Sequence, residues 1–155
     1  MRGKGGFGKV LSVKDLTSGK HVALKYCTES DVEHIRRFQR EVRIMASIDH
    51  ENVMTVLHAN VEFNPPYFTM PLAVQSVSDI IHETKGNIAK TMQVFEGMCK
   101  GINSIPTSGH THRDIKPDNV LVFDGGKIVV SDLGLAKMDE RDTTALTRAI
   151  SCVLS

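Results

Sequence analysis

The sequence predicts an α+β protein of two sub-lobes, because a β-rich first half with one long helix precedes a more helical second half. In the first half, the stretch KVLSVKD-LTSGK-HVALKYC is typical of two strands joined by a turn. In the second half, a helical apolar period is followed by a strong hairpin pattern, NVLVF-DGG-KIVVS. We place the boundary at the PLAVQ connection, with one lobe over residues 1–73 and the other over residues 74–155.

The helices and the remaining strands are predicted from periodicity and turn residues. Apolar residues recur at helical steps between Ile35 and Met45, and Ser30 with Glu33 fits a capping box before them. NVMTVLHANVEF and YFTMPL resemble two strands, and SVSDIIHET a short helix capped at Ser76. A second long helix is predicted from residues spaced by four and three, namely Ile88, Met92, Phe95, Cys99 and Ile102.

Composition and charge exclude several classes of function. The chain has 155 residues and a net charge of +1, so we expect neither a nucleic-acid partner nor an acidic membrane surface. No apolar run approaches the roughly 18 residues of a membrane helix, and we expect no membrane segment. Three scattered cysteines favour a cytoplasmic protein, or the cytoplasmic part of a larger one. His110 and His112 lack further ligands nearby, so we do not expect a metal there.

The first candidate motif is GKGGFGKV, a G-x-G-x-x-G-x-V pattern at Gly3, Gly5, Gly8 and Val10. Glycines let backbone N–H groups approach a phosphate chain closely. Alone, the pattern is weak and is more often that of a flexible N-terminal loop. A dinucleotide-binding interpretation fails, because it needs a strand before the glycines and a helix after them, whereas a strand pattern follows here.

A lysine and a glutamate form the second candidate pair. Ala23 and Lys25 of VALK share one face of a strand, so a flat ring could lie beside the small residue and a phosphate beside the ammonium. Glu41 lies at the edge of the apolar stripe of the first long helix and needs a cation there. Lys25 is the candidate partner, and an exposed pair with Arg37 is the alternative.

The polar stretch THRDIKPDNV carries the third group of candidates. Asp114 could accept a proton or orient a hydroxyl nucleophile, and Lys116 could neutralise a phosphoryl group. Asn119 and Asp132, the latter in SDLG, flank the predicted hairpin at matching ends, so we expect their side chains to converge. An amide oxygen and a carboxylate together suit Mg²⁺.

Taken in order, the motifs G-x-G-x-x-G-x-V, V-A-L-K, the helix glutamate, H-R-D-I-K-P-D-N and D-L-G resemble the eukaryotic-type protein kinase family. Within that family, the lysine of RDIKPDN, Lys116, makes the chain resemble the serine/threonine branch. The resemblance implies a two-lobed fold, with an antiparallel sheet and one helix in the first lobe and an incomplete second lobe. It implies that ATP contacts Gly3, Gly5, Gly6, Phe7, Gly8, Val10, Ala23, Lys25, Met70, Leu72 and Leu121.

The resemblance also implies roles in phosphoryl transfer. Asp114 would be the catalytic base, Lys116 would steady the γ-phosphate, and Lys25 paired with Glu41 would hold the other phosphates. Asn119 and Asp132 would hold Mg²⁺, and the substrate would be a serine or threonine hydroxyl of a protein.

Compared with that family, the first strand is largely missing and the sequence ends inside the activation segment, so we expect a fragment of a catalytic domain. Two alternatives to an active serine/threonine kinase stay open. One is a catalytically inactive, kinase-like fragment that binds nucleotide or a partner, and the other is a small-molecule kinase of similar fold.

Overall fold

Two antiparallel sheets form the framework of the chain. The computed structural model describes residues 4–5, 8–105 and 115–132. The strands are β1 Lys4–Gly5, β2 Gly8–Lys14, β3 His21–Tyr26, β4 His58–Asn60, β5 Tyr67–Pro71, β6 Gln75–Ser76, β7 Val120–Val122 and β8 Ile128–Val130. The helices within these ranges are α1 Val32–Ala46, α2 Ile81–Thr84 and α3 Ile88–Ser104, with 3₁₀ turns at Pro117–Asn119 and Asp124–Gly126. The predicted α+β class is confirmed.

The first sheet has five strands in the order β1-β2-β3-β5-β4. The predicted hairpin of β2 and β3 is present and places Val10 opposite Lys25. Its turn closes where Gly19 adopts a left-handed φ of 70° and donates its N–H to the Asp15 carbonyl at 2.8 Å. On the other side of β3, Ala23 lies opposite Met70 of β5. The sheet therefore brings together residues from both ends of the first half.

Helix α1 covers this sheet with the predicted apolar face, but it begins at a different residue than predicted. Phe38 and Met45 are buried, as the periodicity requires. The capping prediction at Ser30 was wrong, since the N-cap is Asp31, whose side chain accepts the His34 N–H at 3.1 Å. Aspartate at the extended residue next to the helix reaches the third amide directly, so it takes the cap from the preceding serine.

The region around Ser76 also differs from the prediction. Gln75–Ser76 forms β6, and the short helix α2 begins only at Ile81. Instead of capping a helix, Ser76 closes a turn in which the Asp79 carboxylate accepts its N–H and its hydroxyl, both at 2.8 Å. The Asp79 N–H donates to the Ser76 hydroxyl at 3.2 Å in return, and these local bonds compete with helix formation, which explains the later start of α2.

The second sheet has three strands in the order β6-β7-β8. The predicted hairpin of β7 and β8 is confirmed, with Val120 opposite Val130. Helix α3 packs on this sheet through only part of the predicted stripe. Phe95 and Ile102 are partly buried against the second sheet, whereas Ile88 is 80% exposed and Met92 is 55% exposed. The buried residues of α3 are instead Thr91, Val94, Gly97, Met98 and Gly101.

Two buried clusters join these layers. The first lies between the five-stranded sheet and α1, and it includes Ile105 and Val129 from the second half of the chain. The second lies between α3 and the three-stranded sheet. The first cluster thus contains residues from both sides of the PLAVQ connection, and the lobe boundary at residues 73 and 74 stays a prediction. Across the described ranges, no helix has both the length and the apolarity to span a membrane.

Candidate active site

A cavity of about 780 Å³ opens between the two sheets. Its lining includes ten predicted site residues: Val10, Ala23, Lys25, Glu41, Met70, Leu72, Lys116, Asn119, Leu121 and Asp132. Apolar side chains from both halves and charged side chains at one end give the cavity the character of a nucleotide site, with room for a flat ring and an anionic tail.

Lys25 is the centre of the charged end. It is 4% exposed on β3, and its Nζ lies 2.6 Å from Glu41 Oε1 and 2.8 Å from Asp132 Oδ1. The Phe68 ring lies beside the ammonium, with 5.9 Å from Nζ to the ring centroid. The structure therefore brings together three predicted residues that come from β3, α1 and the end of β8.

Two carboxylates share one buried ammonium, which determines the electrostatics. Burial lowers the pKa of Lys25, but the charges of Glu41 and Asp132 outweigh burial and leave that pKa raised. Burial raises the pKa of Glu41 to about 7, with Lys25 opposing the shift and the Asp132 charge adding to it. Glu41 Oε2 is buried and has no hydrogen-bond partner among the described residues. Lys25 thus stays cationic, while Glu41 can take up a proton near neutral pH.

The candidate cation ligands lie at matching ends of the β7–β8 hairpin, as predicted. Asn119 is buried in the turn before β7, and its carbonyl accepts the Ser131 N–H at 2.9 Å. The next residue, Asp132, has a φ of 65°, a left-handed conformation that costs a non-glycine residue about 1–3 kcal/mol. This backbone leaves its carboxylate in contact with Lys25 rather than continuing the strand.

The donor set of these two residues fits Mg²⁺ better than a metal that needs a protein cage. No group of three His, Cys, Asp or Glu side chains within the described ranges could hold a metal ion. One carboxylate and one amide oxygen leave most of an octahedral shell to water and phosphate oxygens, which is how Mg²⁺ is commonly held beside a nucleotide.

The structure describes two glycines of the predicted G-x-G-x-x-G motif, Gly5 and Gly8. Gly5 belongs to β1 and pairs with Gly8. Gly8 lies so close to β3 that a Cβ there would be 2.4 Å from the Tyr26 carbonyl oxygen, which is a packing reason for this glycine besides any phosphate contact. The candidates outside the described residues are Gly3, Gly6, Phe7 and Asp114, together with His110 and His112.

The cavity also contains residues that sequence analysis left unassigned. Met45 and Phe68 line it beside Glu41 and Lys25, and Ser76 of β6 lines it together with Asp79 of the turn that follows. The sequence pattern could have identified Met45 and Phe68 as cavity residues, because Met45 follows Glu41 by one helical turn and Phe68 shares a strand face with Met70. The S-x-x-D spacing of the other two predicts a local turn and carries no indication of a cavity.

Known proteins match this chain along nearly all its length. The sequence family described as "Protein kinase domain" matches residues 2–152. Serine/threonine-protein kinase PknD of Chlamydia caviae is 32% identical over 165 residues, covering 95% of this chain and 18% of its own length. The serine/threonine kinase NLK of Caenorhabditis elegans is 32% identical, covering 96% of this chain and 25% of its own length.

A further relative is the DNA damage-responsive serine/threonine-protein kinase RqkA of Deinococcus radiodurans. It is 33% identical, and the match covers 95% of this chain and 23% of the relative. The chain thus spans a quarter or less of the length of these curated relatives.

Proposed function

Because the chain belongs to the protein kinase domain family, we propose that it acts as a serine/threonine protein kinase that transfers the γ-phosphoryl group of ATP to a protein hydroxyl. The observation that carries this proposal is the shared contact of Lys25 with Glu41 and Asp132 inside the cavity. A buried cation held by two carboxylates beside an apolar pocket suits the binding of a nucleotide with its phosphates and a divalent cation.

The adenine ring would lie in the apolar part of the cavity. Val10 and Ala23 would cover one face of the ring and Leu121 the other. All three line the cavity, as does Leu72 of the connection between the sheets, whose backbone would bind the ring edge. Met70 would limit the depth of the pocket, and the glycines from Gly3 to Gly8 would cover the phosphates.

The charged end would bind and orient the phosphates. Lys25 would hold the α- and β-phosphates, with Glu41 keeping its ammonium in place. Asn119 and Asp132 would hold Mg²⁺, which when bound neutralises phosphate charge. Asp114 would accept the proton of the substrate hydroxyl, and Lys116 would steady the γ-phosphate. Such catalysis consists of positioning and charge neutralisation, so it needs several groups held rigidly.

The setting of the reaction belongs to the same proposal. The substrate would be a protein with a serine or threonine hydroxyl, and nucleic acid would have no part, in keeping with a net charge of +1. A cytoplasmic location would supply both ATP and Mg²⁺.

Thermal melting with and without Mg-ATP, followed by phosphotransfer, tests the proposal. Ligand at about a hundred times its dissociation constant stabilises a folded binder by roughly 2.7 kcal/mol. We expect such a shift for the wild-type chain and its absence in Lys25→Met. Transfer of labelled phosphate from ATP to a protein should then occur with the wild-type chain and be lost in Asp114→Asn. Binding of Mg-ATP without any transfer would instead identify an inactive, nucleotide-binding member of the family.

A further inference from the structure

Residues 52–54, which follow α1, are hydrogen-bonded to the edge of β8 that does not pair with β7, and they are called the fastened segment below. The Val130 N–H donates to the Asn52 carbonyl and the Met54 N–H donates to the Val130 carbonyl, both at 2.8 Å. The Asn52 side-chain amide donates to the Ile128 carbonyl at 2.7 Å. Val53 and Val130 form a parallel bridge at the same place. The chain between α1 and β4 therefore acts as a short extra strand of the second sheet.

Gly101 of α3 leaves the space in which this extra strand lies. A Cβ at Gly101 would be 2.4 Å from the Asn52 carbonyl oxygen and 2.9 Å from Val130 Cγ2. The oxygen is a backbone atom that already accepts the Val130 N–H, so no change of rotamer can relieve the overlap. Any side chain at Gly101 must move α3, the Asn52 segment or β8.

This fastening connects the two carboxylates that contact Lys25. Glu41 lies on α1, directly upstream of the fastened segment, and Asp132 lies just beyond Val130 at the end of β8. Residues of α1 and of the fastened segment pack in one buried cluster, which includes Met45, Val53 and Met54. A shift of the segment against β8 would therefore change the position of Glu41 relative to Asp132.

We propose that Gly101 and Asn52 are positioning residues for the Lys25 site. They hold the segment after α1 against β8 and so set the spacing of Glu41 and Asp132 around the lysine ammonium. Neither residue lines the cavity, so neither would touch a nucleotide bound there. The effect on catalysis rests on the proposed kinase function, but the effect on the surroundings of Lys25 does not.

The test uses the 155-residue chain with Gly101→Ala, Asn52→Ala and the control Val94→Ala. Val94 is a buried α3 residue of the second cluster, so truncating it weakens α3 packing without adding atoms next to Asn52. The first readout is the rate at which an amine-reactive ester modifies Lys25, followed by mass spectrometry well below the melting temperature. The second is kcat and KM for ATP.

Both variants at the fastening should expose Lys25, while the control should not. Misplacement by about 1 Å can cost up to roughly a hundredfold in rate, so we expect Lys25 modification to rise and kcat to fall about tenfold, with a smaller change in KM. Val94→Ala should lower the melting temperature and leave the modification rate and kcat near their wild-type values.

The outcomes test the positioning role of Gly101 and Asn52 separately from the proposed kinase function. Folded Gly101→Ala and Asn52→Ala chains in which Lys25 is modified at the wild-type rate would overturn the positioning role, as would an equal rise in Val94→Ala. If Gly101→Ala does not melt cooperatively, Asn52→Ala decides alone, because it removes one hydrogen bond and adds no atoms. A wild-type chain that does not bind Mg-ATP would refute the kinase proposal, and the Lys25 modification rates would still decide the positioning role.

Discussion

Lys25 and Asp132 are 107 residues apart in the sequence, yet the Lys25 Nζ lies 2.8 Å from Asp132 Oδ1. This contact spans the cavity between the two sheets and joins the first half of the chain to the second. It also places the proposed phosphate ligand next to a proposed Mg²⁺ ligand.

Asp132→Asn should weaken Mg-ATP binding by at least about tenfold, because the carboxylate is the proposed anionic ligand of the cation. The free chain should still fold, since Lys25 keeps Glu41 as a partner. Titration calorimetry with ATP in the presence and absence of Mg²⁺ measures the effect. Asp118→Asn is the matched control, because Asp118 also lines the cavity and loses the same charge. Equal losses in both variants would point to general electrostatics instead of metal binding.

Glu41 should make stability depend on pH in an unusual direction for a carboxylate. Its pKa rises from 4.5 to about 7 on folding, mainly through burial, so the folded chain binds more protons than the unfolded chain between these values. The contribution of Glu41 to the free energy of unfolding is therefore full below about pH 4.5 and is lost as the pH rises to about 7.

Urea unfolding of the wild-type chain and of Glu41→Gln across pH 4.5 to 8 isolates this contribution. The wild-type chain should lose stability relative to Glu41→Gln as the pH rises through this window. A constant difference between the two chains, or a difference of opposite sign, would contradict the raised pKa.

Gly8→Ala should destabilise the chain by about 1–3 kcal/mol, because a Cβ would be forced against the Tyr26 carbonyl where β2 and β3 meet. It should also weaken Mg-ATP binding, because β2 carries Val10, which lines the cavity, and a shift of β2 would displace Val10. Gly19→Ala serves as the control. It strains a left-handed residue by about 1–2 kcal/mol, but in a turn outside the cavity lining, where nothing meets its Cβ.

Denaturant melts and Mg-ATP affinities of both glycine variants separate the two effects. Stability should fall in both chains, and affinity only in Gly8→Ala. Unchanged nucleotide affinity in Gly8→Ala would mean that the glycine loop does not depend on this close contact.

Asp31→Ala should cost about 1 kcal/mol in the free energy of unfolding, because it removes the side chain that accepts the His34 N–H at the start of α1. Ser30→Ala should change stability by no more than a few tenths of a kcal/mol. Thermal melts of the two variants at one pH compare the caps directly. A larger loss in Ser30→Ala would restore the capping box that the sequence pattern favoured.

Much of the candidate site could be predicted because its residues occur in short motifs with strong local signals. The alternation in VALK placed Ala23 and Lys25 on one strand face, and the hairpin pattern placed Asn119 and Asp132 at matching ends. Both placements depend only on strand geometry and turn residues, which act over a few neighbouring positions. Glu41 was found because a carboxylate beside an apolar helical stripe needs a partner, and Lys25 is that partner.

The packing of α3 shows that such local patterns predict a helix but not the face through which it packs. Its largest apolar residues include Ile88 and Met92, which remain exposed, while Gly97 and Gly101 face the sheet. Periodicity identified a helix correctly, but the contacted face is decided by how closely another layer can approach, and glycine carries no hydrophobic signal. The docking of Asn52 on β8 was equally invisible, because it depends mainly on backbone groups that every residue possesses and on one side-chain bond to a carbonyl 76 residues away.

The sequence by itself therefore determined the two hairpins and the long helices near the site, the α+β class and the identity of the charged residues. It did not determine strand β6 at Gln75–Ser76 or the short extent of β4. Tertiary structure alone decided which of the charged residues meet. It brought Lys25 into contact with Asp132 across 107 residues of sequence, and it raised the pKa of Glu41 by burying that side chain. Local periodicity records which side chains prefer burial. The close approach of backbones at Gly8 and Gly101, and the desolvation of charges that it causes, arise only when the layers pack together.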